Sequence, residues 1–300
     1  MDTNSIKRAQ PLLGTFVEIA AAGAGPRALQ SAIDKAFSAV ARVHRLMSFH
    51  DPQSDVSHLN RQAFRRPVSI HPWTYRVLEA AREFSRRSSG VFDITVAPLL
   101  QQRGLLPGGT NGRKPNAKWT AATHAVELLD GQRVRYHHPD VRIDLGGVAK
   151  GFAVDRALDV LREHGLERGL VNAGGDLAAF GVQSDLIHIR DPNDARRSIC
   201  QVEIRNAALA SSGRLIDPLR LSNVGECAVV DPNCERNVFA GATVRASTCM
   251  VADALTKMVM IAGQGAAGLL RQYSASAFLF LESGDVWITS DWQDAVRFAA

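Results

Sequence analysis

The hydrophobic positions of the first third of the chain follow a strand period and then a helix period. The segment "LLGTFVEIAAA" alternates about Thr15 and Glu18, which predicts an opening strand. Apolar residues then recur at helical spacing over residues 26–46, and a second helix is predicted over residues 72–87, ending before Gly90. This third is therefore predicted to hold one strand and two long helices.

The rest of the chain is dominated by strand-like alternation. "HAVELL" and "RVRYHH" flank an Asp130-Gly131 step and predict a hairpin, which is followed by a helix over residues 151–164. Further strands are predicted in "RGLVNAGGDLAAFG", "LIHIRDP", "CQVEIRNAALASSG" and "AFLFLESGDVWIT", with a last helix over residues 250–262. Because strands mostly follow strands and the helices are few and long, the pattern favours an α+β fold with antiparallel sheets over a doubly wound parallel sheet.

Composition excludes several classes of protein. At 300 residues and 46% hydrophobic content the chain can bury a large core, as one domain or as two joined ones. The net charge is +5, but no segment carries a run of like charge and aromatic residues make up 6%, so no nucleic-acid partner is expected. An anionic small molecule suits the mild positive excess better.

The sequence offers no targeting or membrane-spanning segment. No apolar run is long enough to cross a bilayer, and no signal-peptide pattern stands before Pro11. We therefore expect no transmembrane segment and a cytoplasmic location as the sequence stands, or a periplasmic one if an export signal is missing from this chain.

The stretch "RIDLGGVAKGFAVDRAL" has the composition of an anion-binding turn. Gly146 and Gly147 leave backbone groups open to a ligand, the following helix presents its positive end, and Lys150 adds a cation. A pyrophosphate would fit, although the spacing is neither that of a P-loop nor that of a dinucleotide fingerprint. The alternative is a tight strand-to-helix turn with an exposed lysine.

Three other acidic residues stand in unusual places. Asp176 follows a glycine pair and either orients a ligand or belongs to a bulge. Asp93 lies inside an apolar run, where it is either a structural cap or a ligand contact. Asp253 and Lys257 share one face of a nearly all-apolar helix, as an ordinary i,i+4 pair or as part of a site.

Taken together and in order, several stretches resemble the ApbE family, the FAD:protein FMN transferases. They span about residues 11 to 263 and are "PLLGTFVEI", "LMSFHDPQSDVSHLN", "GVFDITVAPLL", "IDLGGVAKGFAVD", "LVNAGGDLAAFG", "ALASSG" and "MVADALTKMVMIAG". The resemblance implies an ApbE-like (T-fold-like) α+β fold with an FAD site in a cleft. It implies one domain over residues 1–300, or two interleaved subdomains.

The resemblance also implies an activity. The family carries out a magnesium-dependent reaction that moves the FMN half of FAD onto a Ser or Thr hydroxyl of a client flavoprotein and releases AMP. FAD as substrate, Mg²⁺ and a client with a Ser/Thr acceptor motif are therefore expected. Two alternatives stay open: a non-catalytic FAD-binding protein on the same scaffold, and an FAD pyrophosphatase.

The family's site positions carry over residue by residue. The resemblance implies metal ligation by the Gly147 carbonyl and by Asp253. It implies contacts with FAD at seven further positions: Leu13, His50, Phe92, Asp93, Asp144, Lys150 and Val229.

Two positions depart from the family pattern. Lys257 stands where the family has a metal-ligating Thr, and Ala228 stands where it has a proposed catalytic His, so no catalytic residue is assigned. One hypothesis is that Lys257 is a built-in cation that pairs with Asp253 and takes over part of the role of magnesium. The alternative is a displaced metal site that Thr256 or water completes.

Overall fold

The computed structural model describes residues 5–108, 122–192, 194–213, 229–233, 239–281 and 283–298. Over these residues the strands, in chain order, are β1 (Ser5–Leu12), β2 (Thr15–Ala22), β3 (Val68–Ser69), β4 (Val126–Leu129), β5 (Arg133–Tyr136), β6 (Arg168–Ala173), β7 (Asp176–Phe180), β8 (Asp185–Asp191), β9 (Asp194–Ile204), β10 (Ala207–Gly213), β11 (Gly241–Ala246), β12 (Ser276–Phe280), β13 (Val286–Ile288) and β14 (Val296–Phe298). They form an eight-stranded sheet in the order β1-β2-β6-β7-β10-β11-β12-β13 and two three-stranded sheets, β14-β9-β8 and β3-β5-β4. Neighbouring strands are antiparallel, which confirms the predicted α+β class.

The long helices begin and end close to the predicted residues. The helices are α1 (Pro26–Met47), α2 (Asp55–Gln62), α3 (Pro72–Arg87), α4 (Ala97–Gln102), α5 (Ala149–Glu163), α6 (Cys249–Ala262) and α7 (Ala267–Gln272). Helix α3 has the predicted bounds because Pro72 fixes its first residue and the His71 side chain accepts a hydrogen bond from the Trp73 N–H. In the part of the chain that the structure describes, no helix is long and apolar enough to cross a membrane.

The opening strand prediction was incomplete. "TFVEIAAA" forms β2, but the preceding polar segment "SIKRAQPL" forms β1, which pairs with β2 in a hairpin. Strand β1 lies at the edge of the sheet and none of its side chains is fully buried, so its hydrophobic pattern is weak. Its pairing depends on backbone hydrogen bonds, which the side-chain pattern does not reveal.

The contacts divide the chain into two compact units, each built from separate segments. Unit 1 comprises Met1–Arg42, Lys150–Cys227 and Phe239–Ala300, and unit 2 comprises Val43–Ala149 and Ala228–Val238. The eight-stranded sheet, the β14-β9-β8 sheet and α6 belong to unit 1. The β3-β5-β4 sheet belongs to unit 2, together with α2, α3 and α4.

The core of unit 1 forms around α6, which packs against β10, β11 and β7. Ten of its fourteen residues are buried, which explains why its sequence is apolar nearly all round. Phe278 and Trp292 are fully buried in a neighbouring cluster of the same unit. Burial on this scale makes α6 the rigid element on which Asp253 and Lys257 are mounted.

In unit 2, α2 fixes the segment that carries Asp144. The Ser54 side chain caps the helix by accepting a hydrogen bond from the Ser57 N–H at 3.0 Å. Further along α2, the Asn60 side chain donates to the Ile143 carbonyl at 2.9 Å and accepts from the Ile143 N–H at 2.8 Å. This paired amide contact holds the backbone immediately before Asp144.

A close approach of two helices within unit 1 depends on Gly151. A Cβ atom added at Gly151 would lie 2.8 Å from the Cβ of Asp253 and closer still to the Cys249 carbonyl. The first turn of α5 therefore contacts the first turns of α6 backbone to backbone. Only glycine leaves room for that contact.

Replacing Gly151 by alanine should destabilise the protein by at least about 2 kcal/mol, because the added methyl group meets fixed backbone. Gly268→Ala is the matched control: this glycine also lies in a helix, but an added Cβ would meet no atom within 4 Å. The control change should stabilise by about 0.5–1 kcal/mol through helix propensity. Urea unfolding followed by circular dichroism measures both, and equal effects of the two substitutions would contradict this account.

Candidate active site

Several predicted site residues of unit 1 lie at one end of its large sheet. Leu13 lies in the two-residue turn that joins β1 to β2, with a φ of 57°, a conformation that leucine rarely adopts. The β6–β7 turn lies beside it, since a Cβ atom at Gly174 would come within 2.6 Å of the Thr15 hydroxyl. The turn is held by the Asn172 side chain, which accepts from the Gly175 N–H at 3.0 Å. The glycine pair is thus a hairpin turn between strands rather than a bulge within one.

Lys150 is ion-paired and partly exposed, unlike the exposed lysine of the alternative interpretation. Its Nζ donates to Asp176 Oδ2 at 2.5 Å, with 28% of the Lys150 side chain exposed and none of that of Asp176. Burial alone would lower the pKa of Lys150, but the carboxylates of Asp176 and Asp253 outweigh it and raise that pKa above its usual value. Lys150 therefore carries a positive charge at neutral pH.

Among the described residues, only one of the two carboxylate oxygens of Asp176 has a hydrogen-bond donor. The other oxygen, Oδ1, is buried. Burial, followed by the charge of Asp253, raises the pKa of Asp176, and the lysines at 150 and 257 counteract this. An oxygen of this kind can accept a hydrogen bond from a bound water or ligand, which keeps the ligand-orienting interpretation of Asp176 open.

Asp253 has both carboxylate oxygens engaged by donors of unit 1. The Gly151 N–H donates to Oδ2 at 3.0 Å, and Lys257 Nζ donates to Oδ1. The same ammonium group donates to the Ser212 hydroxyl at 2.9 Å and to the Thr256 hydroxyl at 3.2 Å. The three donors of Lys257 thus have three acceptors.

This arrangement does not fit a magnesium ion at Asp253. Mg²⁺ requires oxygen ligands at about 2.0–2.1 Å, whereas an ammonium group already lies within hydrogen-bonding distance of the carboxylate. The Thr256 hydroxyl donates to the Asp253 carbonyl within the helix at 2.7 Å and accepts from Lys257 at 3.2 Å, so a displaced site that used Thr256 would also have to compete with Lys257 for its oxygen. The described residues also hold no cluster of three or more His, Cys, Asp or Glu side chains suited to a metal.

Asp155 is a further structural residue of the site that the sequence analysis missed. Its two carboxylate oxygens accept hydrogen bonds from the N–H groups of Cys249 at 2.7 Å and Met250 at 2.9 Å. Asp155 therefore caps the N-terminus of α6. Burial raises the pKa of Asp155 to about 6, although both N–H groups act in the opposite direction. Its place four residues after Gly151 in the same motif is the only trace of this role in the sequence.

The remaining predicted site residues belong to unit 2, where Asp93 has a structural role. Asp93 Oδ1 accepts from the N–H and the hydroxyl of Thr95 at 2.6 and 2.5 Å, and its Oδ2 accepts from the Thr123 N–H at 3.1 Å. This agrees with the structural-cap interpretation. The neighbouring Phe92 is buried and packs edge-on against Phe84, with ring centroids 5.6 Å apart.

Asp144 lies beside this segment in unit 2. Its N–H donates to the Ile94 carbonyl at 2.8 Å, and its Oδ2 accepts from the Gly146 N–H at 2.9 Å. Burial raises the pKa of Asp144, against the Gly146 hydrogen bond and the charge of His50. Asp144, His50 and the Phe92–Asp93 segment are thus grouped within unit 2, and Gly147 follows in the turn before α5.

The last predicted contact, Val229, is buried in unit 2. The next residue, Val230, packs with Leu99, Leu100 and Leu105. Ala228, which replaces the family's histidine, lies outside the described residues.

The fold and the charged sheet end define an α+β protein whose polar groups are mounted on turns and helix ends. A model of the ApbE family matches residues 13–280, so the chain belongs to the ApbE family. A FAD:protein FMN transferase of Vibrio cholerae is 27% identical over 254 residues, which cover 80% of this chain and 75% of that protein. A FAD:protein FMN transferase of Klebsiella pneumoniae is 23% identical over 291 residues, covering 91% and 83%.

Solved structures show the same fold. The ApbE protein of Thermotoga maritima superposes with a TM-score of 0.85 at 24% identity, covering 97% of this chain and 99% of that one. The flavin transferase ApbE of Vibrio cholerae gives 0.81 at 24% identity, covering 98% and 99%. The ApbE-like α+β fold expected from the sequence is therefore confirmed.

Lys150→Met should destabilise the protein by about 3–5 kcal/mol at pH 8, because it leaves the Asp176 carboxylate buried without a counter-charge. The double variant Lys150→Met, Asp176→Asn should recover most of that loss. Lys7→Met is the matched control, since its partner Glu18 lies at the surface and the pair should contribute less than about 1 kcal/mol. Urea unfolding of the parent, the single variants Lys150→Met and Asp176→Asn, and the double variant gives the coupling free energy, and additive losses would count against a buried pair.

Asp155 should make stability depend on pH between about 4 and 6. Its pKa is raised from 3.8 to about 6, so the folded protein binds more protons than the unfolded chain in that interval and stability falls as pH rises. Asp155→Asn removes this titration, so its free energy of unfolding should stay level while that of the parent falls by about 2–3 kcal/mol between pH 4 and 7. A constant offset is expected as well, because an amide nitrogen cannot accept from one of the two α6 N–H groups. Unfolding free energies measured across this range test the difference. Asp34→Asn, which removes an exposed carboxylate, is the matched control, and an equal pH dependence of the parent and Asp155→Asn would contradict the account.

Proposed function

We propose that this chain is a flavin transferase that moves FMN from FAD onto a Ser or Thr hydroxyl of a client flavoprotein and releases AMP. The observation that carries the proposal is the family match over residues 13–280, together with relatives that are named for this activity. The match includes both glycine turns and the α6 segment, so it covers the parts of the chain on which the activity would depend.

The proposed reaction exchanges one phosphorus–oxygen bond for another. The client hydroxyl oxygen attacks the phosphorus of the FMN half, the bond from that phosphorus to the AMP oxygen breaks, and the hydroxyl proton is lost. The bridging oxygen stays with AMP and carries the negative charge that develops when the bond breaks. In such transfers most of the rate gain comes from positioning and from neutralising charge on the phosphates.

Residues of unit 1 suit the phosphate part of this task. Lys150 is positively charged, 28% exposed, and has used one of its three donors on Asp176. An ammonium group in this state can donate to phosphate oxygens while Asp176 fixes its position. Asp176 Oδ1 would accept a hydrogen bond from the ligand or from a bound water.

Taken by itself, unit 2 carries residues that the family resemblance assigns to contact with FAD. His50 is exposed and offers a flat ring for stacking, whereas Phe92 and Val229 are buried and expose little of their apolar surface. Asp144 would hydrogen-bond a ligand hydroxyl. Burial raises its pKa, which favours the protonated carboxyl more than in an ordinary surface aspartate.

Lys257 already neutralises Asp253, the residue to which the family resemblance assigns magnesium. The same contact favours a second candidate, a non-catalytic FAD-binding protein on the same scaffold. Alanine in place of histidine at residue 228 supports that candidate, because no general base for the client hydroxyl is then assigned. An FAD pyrophosphatase, with water in place of the hydroxyl, uses the same bond exchange.

Incubation with FAD and a client that carries a D-x-x-[ST]-G-A-[ST] acceptor motif should attach FMN to the client and release AMP in equal amounts. Mass spectrometry of the client measures the added FMN, and chromatography measures AMP. The matched control is a client in which the acceptor Ser or Thr is alanine, which should remain unmodified.

The three candidate functions give different products. FMN and free AMP without client modification would identify a pyrophosphatase. If FAD stays bound and intact and neither product forms, the chain is a non-catalytic FAD-binding protein. Lys150→Met should lower transfer about 100-fold or more, because it removes a charge that neutralises the developing phosphate charge.

A further inference from the structure

We infer that the Lys257 ammonium replaces a divalent cation in this chain, so that the site at Asp253 neither binds nor needs Mg²⁺. The inference deepens the proposed function in one respect, its cation requirement. It rests on that function only for the identity of the ligand. Thermal unfolding and Mn²⁺ binding are measured on the protein without FAD, so their results are independent of flavin transfer.

The first observation is the saturation of the Asp253 carboxylate. Each of its oxygens has a donor within unit 1, one from the Gly151 backbone and one from Lys257. The side chain of Asp253 is fully buried, so solvent does not compete for it. A metal ion would have to displace the ammonium group before it reached the carboxylate.

The second observation is that Lys257 is held in place by its surroundings. Ser212 Oγ and Thr256 Oγ1 accept its other two N–H groups and also lie 3.2 Å from each other. Ser212 lies near the end of β10, next to the sheet position where Gly213 pairs with Gly241 of β11. The ammonium is therefore fixed from the helix and from the sheet, and 15% of the side chain remains exposed.

The third observation is the charge balance. Lys150 and Lys257 are matched by Asp176 and Asp253, and each ion pair lies largely out of solvent. The group is electroneutral without a metal ion. A divalent ion added beside Lys257 would leave an excess of positive charge and repel the ammonium strongly at short distance.

The ordinary alternative is that Lys257 and Asp253 form a helix pair that a metal ion pushes aside. An exposed i,i+4 pair contributes only about 0.3–0.5 kcal/mol and would yield readily. Burial and the two hydroxyl acceptors distinguish this pair from an exposed one. Metal binding by the unmodified protein decides between the two accounts.

The test compares the parent protein with Lys257→Thr, with and without about 5 mM Mg²⁺. Thermal unfolding of the parent should be unaffected by Mg²⁺, and its FAD affinity should be the same in EDTA as in Mg²⁺. Lys257→Thr should gain a metal response, a rise in Tm of at least about 2 °C with Mg²⁺. Mn²⁺ should bind the variant and not the parent. Binding is detected as a loss of the electron paramagnetic resonance signal of free Mn²⁺.

Two further variants test whether the metal response arises at the Asp253 carboxylate. Lys257→Thr combined with Asp253→Asn should lose the gained metal response, because the carboxylate ligand is gone. Lys7→Thr, which removes an exposed lysine, should behave as the parent does. If Lys257→Thr is unstable without metal, refolding it with and without Mg²⁺ should show metal-dependent recovery.

Three outcomes would overturn the inference. One is metal binding by the parent protein that Asp253→Asn abolishes. Another is FAD binding by the parent that EDTA eliminates. The third is a folded Lys257→Thr variant without any metal response, which would show that the ammonium is not what excludes the ion.

Discussion

The buried carboxylate of Asp253 is the constraint on which the site end of unit 1 depends. An ionised group without solvent has to be neutralised, and here a lysine one helical turn away and a backbone N–H from α5 do so. The N–H contact requires the first turn of α5 to reach α6, which in turn requires glycine at residue 151. Asp155, which also lies in α5, caps the N-terminus of α6.

This arrangement links stability with the proposed chemistry. Lys150 reaches Asp176 from the same first turn of α5, and its charge is coupled to that of Asp253. Any change that removes one of the four charges leaves another buried without its partner. Substitutions here will therefore alter folding and ligand binding together, and paired substitutions that keep the charge balance are needed to separate the two.

The structure has the fold of the ApbE family, and of the two positions that depart from the family pattern the described residues include Lys257. The turns, the long helices and the antiparallel sheet order are those expected of the ApbE family. A lysine at residue 257 nevertheless changes what the same scaffold can hold, because an ammonium group and a divalent ion compete for one carboxylate.

The sequence by itself determined the elements whose cause is local. The bounds of α3, the hairpin at Asp130-Gly131 and the Asp253–Lys257 pair follow from helix starts, turn residues and i,i+4 spacing. Tertiary structure decided what depends on residues far apart in the chain: the edge strand β1, the Lys150–Asp176 pair, the capping by Asp155 and the Ser212 contact. Those contacts are set by strand pairing and by the close approach of α5 to α6, and a one-dimensional pattern carries no record of which distant groups a fold brings together.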